Sequence, residues 1–116
     1  MNDLLDEFGK TLMSDVRDRT IRVFDKRIQG LMKDEASLRL YERISSLDNN
    51  QKKLIEDIIP MVVDLSIHNM LCMLEDHSEF SLIKDGKNIA ELSDGLSGEL
   101  YTEDGWISKF SEQRRL

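Results

Sequence analysis

The chain has 116 residues, 16 Lys+Arg against 23 Asp+Glu for a net charge of -7, and 40% hydrophobic residues. That length and apolar content suffice for one domain over residues 1–116, burying roughly two-thirds of its unfolded surface without covalent staples. The acidity, pI near 4.8, weighs against nucleic acid and anionic membranes as partners. The single cysteine, Cys72, excludes an internal disulfide and the usual multi-cysteine zinc site.

The cysteine usage fits a cytoplasmic location. The N-terminal MNDLLDEFGK carries acids where a secretion signal carries basic residues, and no uninterrupted run of ~20 apolar residues reads as a membrane span. Charge is uneven along the chain. Residues 1–53 hold 11 basic and 10 acidic residues, whereas residues 54–116 hold 5 basic and 13 acidic ones, so the second half carries the acidity.

Between Asn2 and Met32, Leu5, Phe8, Leu12, Val16, Val23, Phe24, Ile28 and Leu31 recur every three to four residues, with Thr20 filling the gap. This spacing predicts one long amphipathic helix or two collinear ones, with Gly9 and Gly30 as weak points. Leu38, Tyr41 and Ile44 predict a second helix over 35–46. Asp48 with Gln51 forms a capping-box pattern ahead of Leu54, Ile55, Ile58 and Ile59, and a third helix runs from there to about Asp76, kinked at Pro60. Ile58–Leu74 is apolar nearly all round, the pattern of a central helix surrounded by others.

Beyond Ser78, Asp85-Gly86 between two short β-prone runs predicts a type I′ hairpin. Residues 93–98 read as a loop, and Thr102-Glu-Asp-Gly as the capped start of a short helix carrying Trp106, Ile107 and Phe110. The polar tail 111–116 is expected to fray. The fold class is thus mainly α: a small helical bundle with a short C-terminal hairpin and a terminal short helix.

The chemistry-bearing residues are few. His68 and Cys72 are neighbours on the third helix, flanked at the same spacing by Asp64 and Asp76. This is either a thiol or metal site, or an interior pair in which cysteine acts as a small hydrophobe. There is no phosphate loop, HExxH pair or serine elbow, and Asp94–Gly98 lacks the lysine of a phosphate loop. No catalytic residue, metal ligand or cofactor is assigned. Arg19, Arg22, Lys26 and Lys33 alternate with acids, and Asp15–Arg19 and Asp18–Arg22 fit a solvated, salt-laced face rather than a nucleic-acid interface.

The acids of the second half are more informative. Glu75, Asp76 and Glu79 gather at or beyond a helix C-terminus, where the macrodipole disfavours them. Asp94, Glu99, Glu103 and Asp104 lie near Tyr101 and Trp106, a combination suited to a basic protein partner unless the aromatics are core. Over Gly98–Ser111 and Asp64–Leu71 the chain resembles small bacterial immunity proteins of toxin systems. The resemblance implies a cytoplasmic protein that blocks a toxin's active or substrate-binding surface by binding. The expected contacts are Glu99, Glu103, Asp104 and Trp106, then Glu75, Asp76 and Glu79. The alternative is a small metal- or thiol-dependent enzyme using His68 and Cys72, and a third reading is an oligomeric adaptor using exposed parts of the Met-rich third helix.

Overall fold

The computed structural model describes residues 3–114. The N-terminal rod consists of α1 (Asp3–Leu12), a π turn (Met13–Asp18) and α2 (Arg19–Ile28) in direct succession. A π turn absorbs one extra residue, so the inward phase of the helix advances by one position across it. Leu5 and Leu12 are buried before the turn, and Met13, Arg17 and Ile21 through and after it. Val16, in phase with the first two turns, is 43% exposed, and Thr20 faces solvent. The expected apolar stripe therefore misplaces the interior by one residue over this stretch.

Gly30, at φ +77, ends the rod. Its N–H donates to Arg27 O at 3.2 Å and that of Leu31 to Lys26 O at 2.9 Å, a Schellman closure that needs the left-handed conformation glycine adopts freely. Asp34 then caps α3 (Glu35–Ser45), its carboxylate accepting from Ser37 N. The Asp48–Gln51 capping box opens α4 (Asn49–Asp76), a 28-residue helix that continues through Pro60. Proline has no N–H to give the carbonyl four residues back. That carbonyl, Glu56 O, instead accepts from Arg114 Nη2 at 2.9 Å.

The core sits around the C-terminal half of α4. Ile67 and Leu71 meet Leu5, Leu12 and Met13 from the rod and Ile89, Leu96, Leu100, Trp106 and Ile107 from the C-terminal segment. Trp106 lies on Gly9 so closely that a Cβ there would stand 2.4 Å from the indole, and Phe8 meets it edge-on at 5.6 Å. The glycine in mid-helix is thus the seat of the largest core side chain. The hairpin of β1 (Ile83–Lys84) and β2 (Lys87–Asn88) pairs Ile83 with Asn88 and Lys84 with Lys87. Its turn residues Asp85 and Gly86 both have positive φ, 52 and 77, as a type I′ turn requires.

Two 3₁₀ turns, Ile89–Leu92 and Leu96–Glu99, lead to α5 (Trp106–Phe110). Helix α5 starts later than the sequence suggests. Its N-cap is Gly105, without a side-chain cap. Thr102–Asp104 form a preceding turn closed by Gly105 N–H to Thr102 O at 2.8 Å. A Cβ at Gly105 would meet Glu99 O at 2.7 Å and the Thr102 backbone at 2.8 Å, which is why the chain can fold back so tightly there.

Charged groups tie these layers together. Arg17 is fully buried. Its Nε donates to Asp64 Oδ1 at 2.7 Å and its Nη2 to Asp64 Oδ2 at 3.3 Å, while Nη1 donates to Ser111 Oγ at 2.6 Å. The Ser111 hydroxyl donates to Asp18 Oδ1 at 2.6 Å, and Glu112 N–H to Asp18 Oδ2 at 2.8 Å. Arg114 is held by both oxygens of Asp25, at 2.8 and 3.0 Å. Residues 111–114 are therefore ordered against the rod and α4 rather than frayed; Arg115 and Leu116, the rest of the expected frayed tail, lie outside the described residues. Asp18 is turned inward rather than paired with Arg22 on the surface.

The principal extents are 50 × 29 × 21 Å and the radius of gyration is 16.7 Å, against about 13 Å for a compact chain of ~100 residues. The molecule is elongated because α2, α3 and the N-terminal half of α4 extend away from the main core. Removing one partner of a buried ion pair leaves an uncompensated charge. Arg17→Ala should therefore lower unfolding free energy by about 3–5 kcal/mol in denaturant titration. Pairing Arg17→Met with Asp64→Leu should recover part of that loss. Equal destabilisation by the single and double variants would show that the charges are not coupled.

Candidate protein-binding site

Helix α4 has two unlike sides. Pro60, Asp64, Ile67 and Leu71 face the protein. Roughly 130° around the helix, at about 100° per residue, lie Leu54, Ile58, Met61, Val62 and Leu65, between 43% and 59% exposed. The helix is therefore not surrounded by others: only 22% of its most apolar window is buried. The same helix is long and apolar enough to cross a membrane by length and composition, which scanning for uninterrupted apolar runs overlooks because isolated polar residues punctuate it.

Towards its C-terminus the outward side of α4 acquires a cover. The carbonyl of Ser97 accepts from His68 Nδ1 at 3.1 Å, and the N–H of Ser97 donates to the Glu75 carboxylate. One peptide segment of the 96–99 turn is thus strapped to two helix positions seven residues apart. Because a carbonyl only accepts, His68 carries its proton on Nδ1 here, leaving Nε2 to accept from the Cys72 thiol, whose Sγ is 3.6 Å away. Tyr101 stands over His68 with ring centroids 5.4 Å apart. Partial burial, and secondarily the Asp64 charge, raise the Tyr101 phenol above its ordinary value of 10.0.

At the end of α4 a cleft of about 410 Å³ is lined by Leu74, Glu75, Phe80, Glu91, Asp94 and neighbouring residues. A second groove, containing Glu79, shares Leu74 and Phe80 with it. Phe80 is 58% exposed, so an accessible aromatic ring and carboxylates line the same open cleft.

The expected contact residues are thus sorted by the fold. Trp106, 1% exposed, is core and unavailable to a partner. Glu99 accepts from Ser93 Oγ at 3.1 Å and braces the loop. Glu75 is the strap acceptor while also lining the cleft. Glu79 pairs with His77 at 3.1 Å. Asp76 is exposed at the helix end, and Glu103 and Asp104 are exposed in the turn before α5, outside the helix's first turn where a dipole would account for them. The acids do not all meet: Glu75, Glu91 and Asp94 share one cleft, and Glu103 and Asp104 belong to a separate turn.

Sequence reasoning missed Glu91 and Phe80, whose only sign was a position beside the hairpin. His68 and Cys72 do face one another, half-buried, and line neither the cleft nor the groove. Among the described residues no group of three or more His, Cys, Asp or Glu is placed to hold a metal ion. Comparison of the chain with protein-family models, curated proteins and solved structures finds no match.

The hydrogen bond from Ser97 N–H, above all, holds the Glu75 carboxyl below its ordinary value of 4.5. A depressed carboxyl stabilises the strap above its unfolded value and loses that contribution as pH falls through the lower, folded one. The Ser97 amide resonance should therefore titrate below pH 4.5. Glu75→Gln should abolish that titration; a resonance that titrates unchanged in the variant would rule the strap out.

Proposed function

We propose that this protein is a binding module without catalytic chemistry of its own, whose acidic end receives a basic protein partner. Its most concrete form is a cytoplasmic immunity protein that neutralises a bacterial toxin by covering its active or substrate-binding surface. The observation that carries the reading is the open cleft whose lining includes Glu75, Glu91 and Asp94 together with the exposed Phe80 ring. Carboxylates around an aromatic anchor suit a lysine or arginine side chain, because the ring offers both apolar contact and a cation–π face.

The acidic second half supports the same reading through long-range attraction, which raises association rates with basic surfaces. A nuclease-type toxin is basic at its substrate groove, so occupation of that groove and charge complementarity coincide. The resemblance over residues 64–71 and 98–111 to small immunity proteins points the same way. Glu103, Asp104 and Asp76 belong to the outer charged surface in this reading, whereas Glu75 and Glu99 also hold the loop in shape.

The thiol-dependent reading keeps one specific observation in its favour, the Cys72 Sγ to His68 Nε2 approach at 3.6 Å with His68 oriented by the Ser97 carbonyl. It requires an activated thiol. Iodoacetamide should instead modify Cys72 no faster than an ordinary cysteine at neutral pH, and Cys72→Ser should retain partner binding. Rapid modification together with loss of function in a folded variant would favour the enzyme.

Purification from the native cell should recover a basic toxin domain in stable complex. Glu91→Lys combined with Asp94→Lys should slow association on the order of tenfold at low ionic strength and flatten its salt dependence. Glu103→Lys with Asp104→Lys should act in the same direction to a smaller extent. Association unchanged by all four reversals at low salt rules out this surface.

A further inference from the structure

We infer that the uncovered N-terminal half of α4 is an interface between two copies of this chain, packed antiparallel about a two-fold axis. Leu54, Ile58, Met61 and Leu65 follow one another at intervals of four, three and four, the alternation of a coiled-coil seam. The series continues in step through His68, Cys72 and Glu75. There the chain's own 96–99 turn lies over it, held by Ser97. One seam therefore has an internal cover on its C-terminal half and exposed leucine, isoleucine and methionine on its N-terminal half.

The exposed half is complementary to itself. An antiparallel pairing centred between Ile59 and Pro60 sets Leu54 against the partner's Leu65 and Ile58 against the partner's Met61, which closes as a two-fold dimer and does not propagate. The surrounding charge permits it. Residues 49–66 contain Lys52, Lys53, Glu56, Asp57 and Asp64, and Asp64 is neutralised by Arg17. Two lysines then balance two acids, so the contact brings no excess of like charge face to face, although each chain carries a net charge of -7 that salt must screen. A basic partner finds no complementary field here.

The area reaches the threshold for a reversible dimer. At 43–59% exposure, the five apolar side chains from Leu54 to Leu65 present on the order of 500 Å², towards the upper end of the largest patch on a typical monomer. Two such faces, fully covered, bury about 1,000 Å², the minimum a biological interface should clear and the size of a weak, reversible one. A lipid bilayer is the poorer occupant, despite the apolar length of α4. Its opposite side is bound to the protein by Arg17 through Asp64 and by Arg114 through the Glu56 carbonyl, so lipid could not surround the helix without breaking buried charge-assisted bonds.

Sedimentation equilibrium of the intact chain over a wide concentration range should give twice the 13.5 kDa monomer mass. Ile58→Glu with Met61→Glu should weaken the dimer at least tenfold while leaving helical circular dichroism and the thermal midpoint of the monomer intact. In a Cys72→Ser background, Leu54→Cys mixed with Leu65→Cys should form a disulfide-linked dimer faster than either variant alone. These cross-links keep the test decisive if the glutamate pair fails to fold. A wild-type monomer at every concentration overturns the inference, as does a dimer indifferent to the glutamates or the absence of the mixed cross-link. Flotation of the monomer with phosphatidylcholine vesicles, or a one-to-one complex with a basic protein across Leu54–Leu65, overturns it in favour of that occupant.

Discussion

A fully buried guanidinium is the constraint on which the rest of the structure depends. Arg17 has no contact with water, and such a charge is tolerated only where its donors are met and its charge is balanced. Asp64 of α4 supplies a two-oxygen acceptor, and Ser111 links the guanidinium to Asp18. The backbone carbonyls of Gln113 and Arg114 take further donors. These partners come from the rod, α4 and the C-terminal segment, so the demand of one side chain fixes the relative positions of all three. The π turn meets the same demand, since its extra residue brings Met13, Arg17 and Asp18 to the interior together.

Arg114 extends this logic to α4. Proline in a helix interior leaves a carbonyl without its donor, and here the orphan, Glu56 O, is close enough to Asp25 of α2 for one guanidinium to serve both. The C-terminal segment thereby compensates a defect in the longest helix, at the point where that helix leaves the main core. An apparently dispensable tail stabilises a joint between elements remote in sequence.

Local codes explain what was legible in the sequence. The Asp48–Gln51 capping box, the Asp85-Gly86 turn and the α3 and α4 boundaries depend on residues within a few positions of one another, and the structure has them as read. The π turn left no such mark, because Val16 and Met13 are both apolar and either phase looks plausible until Arg17 is seen to be buried. Thr102 resembled an N-cap, but the close approach of Gly105 to Glu99 and Thr102 moves the helix start to Trp106. Trp106 reads in the sequence as a contact residue, with the core as the alternative, and the structure puts it in the core. What decided its place was the missing side chain at Gly9, far away in sequence.

The α4 reading failed for a different physical reason. A helix apolar on every side is stable either in the centre of a bundle or with one side awaiting another surface, and periodicity has no means of separating the two. Only the position of the charged clamps does so: Asp64 ties one side of the helix to Arg17, and Ser97 straps the C-terminal part of the other. The outward side of Leu54–Leu65 faces away from the first clamp and lies N-terminal to the second. The acidic cleft with Phe80 opens at the opposite end of the same helix. A copy of the chain on the neutral, apolar end and a basic protein on the acidic end therefore need not compete, and one rigid helix would hold two partners at a fixed distance.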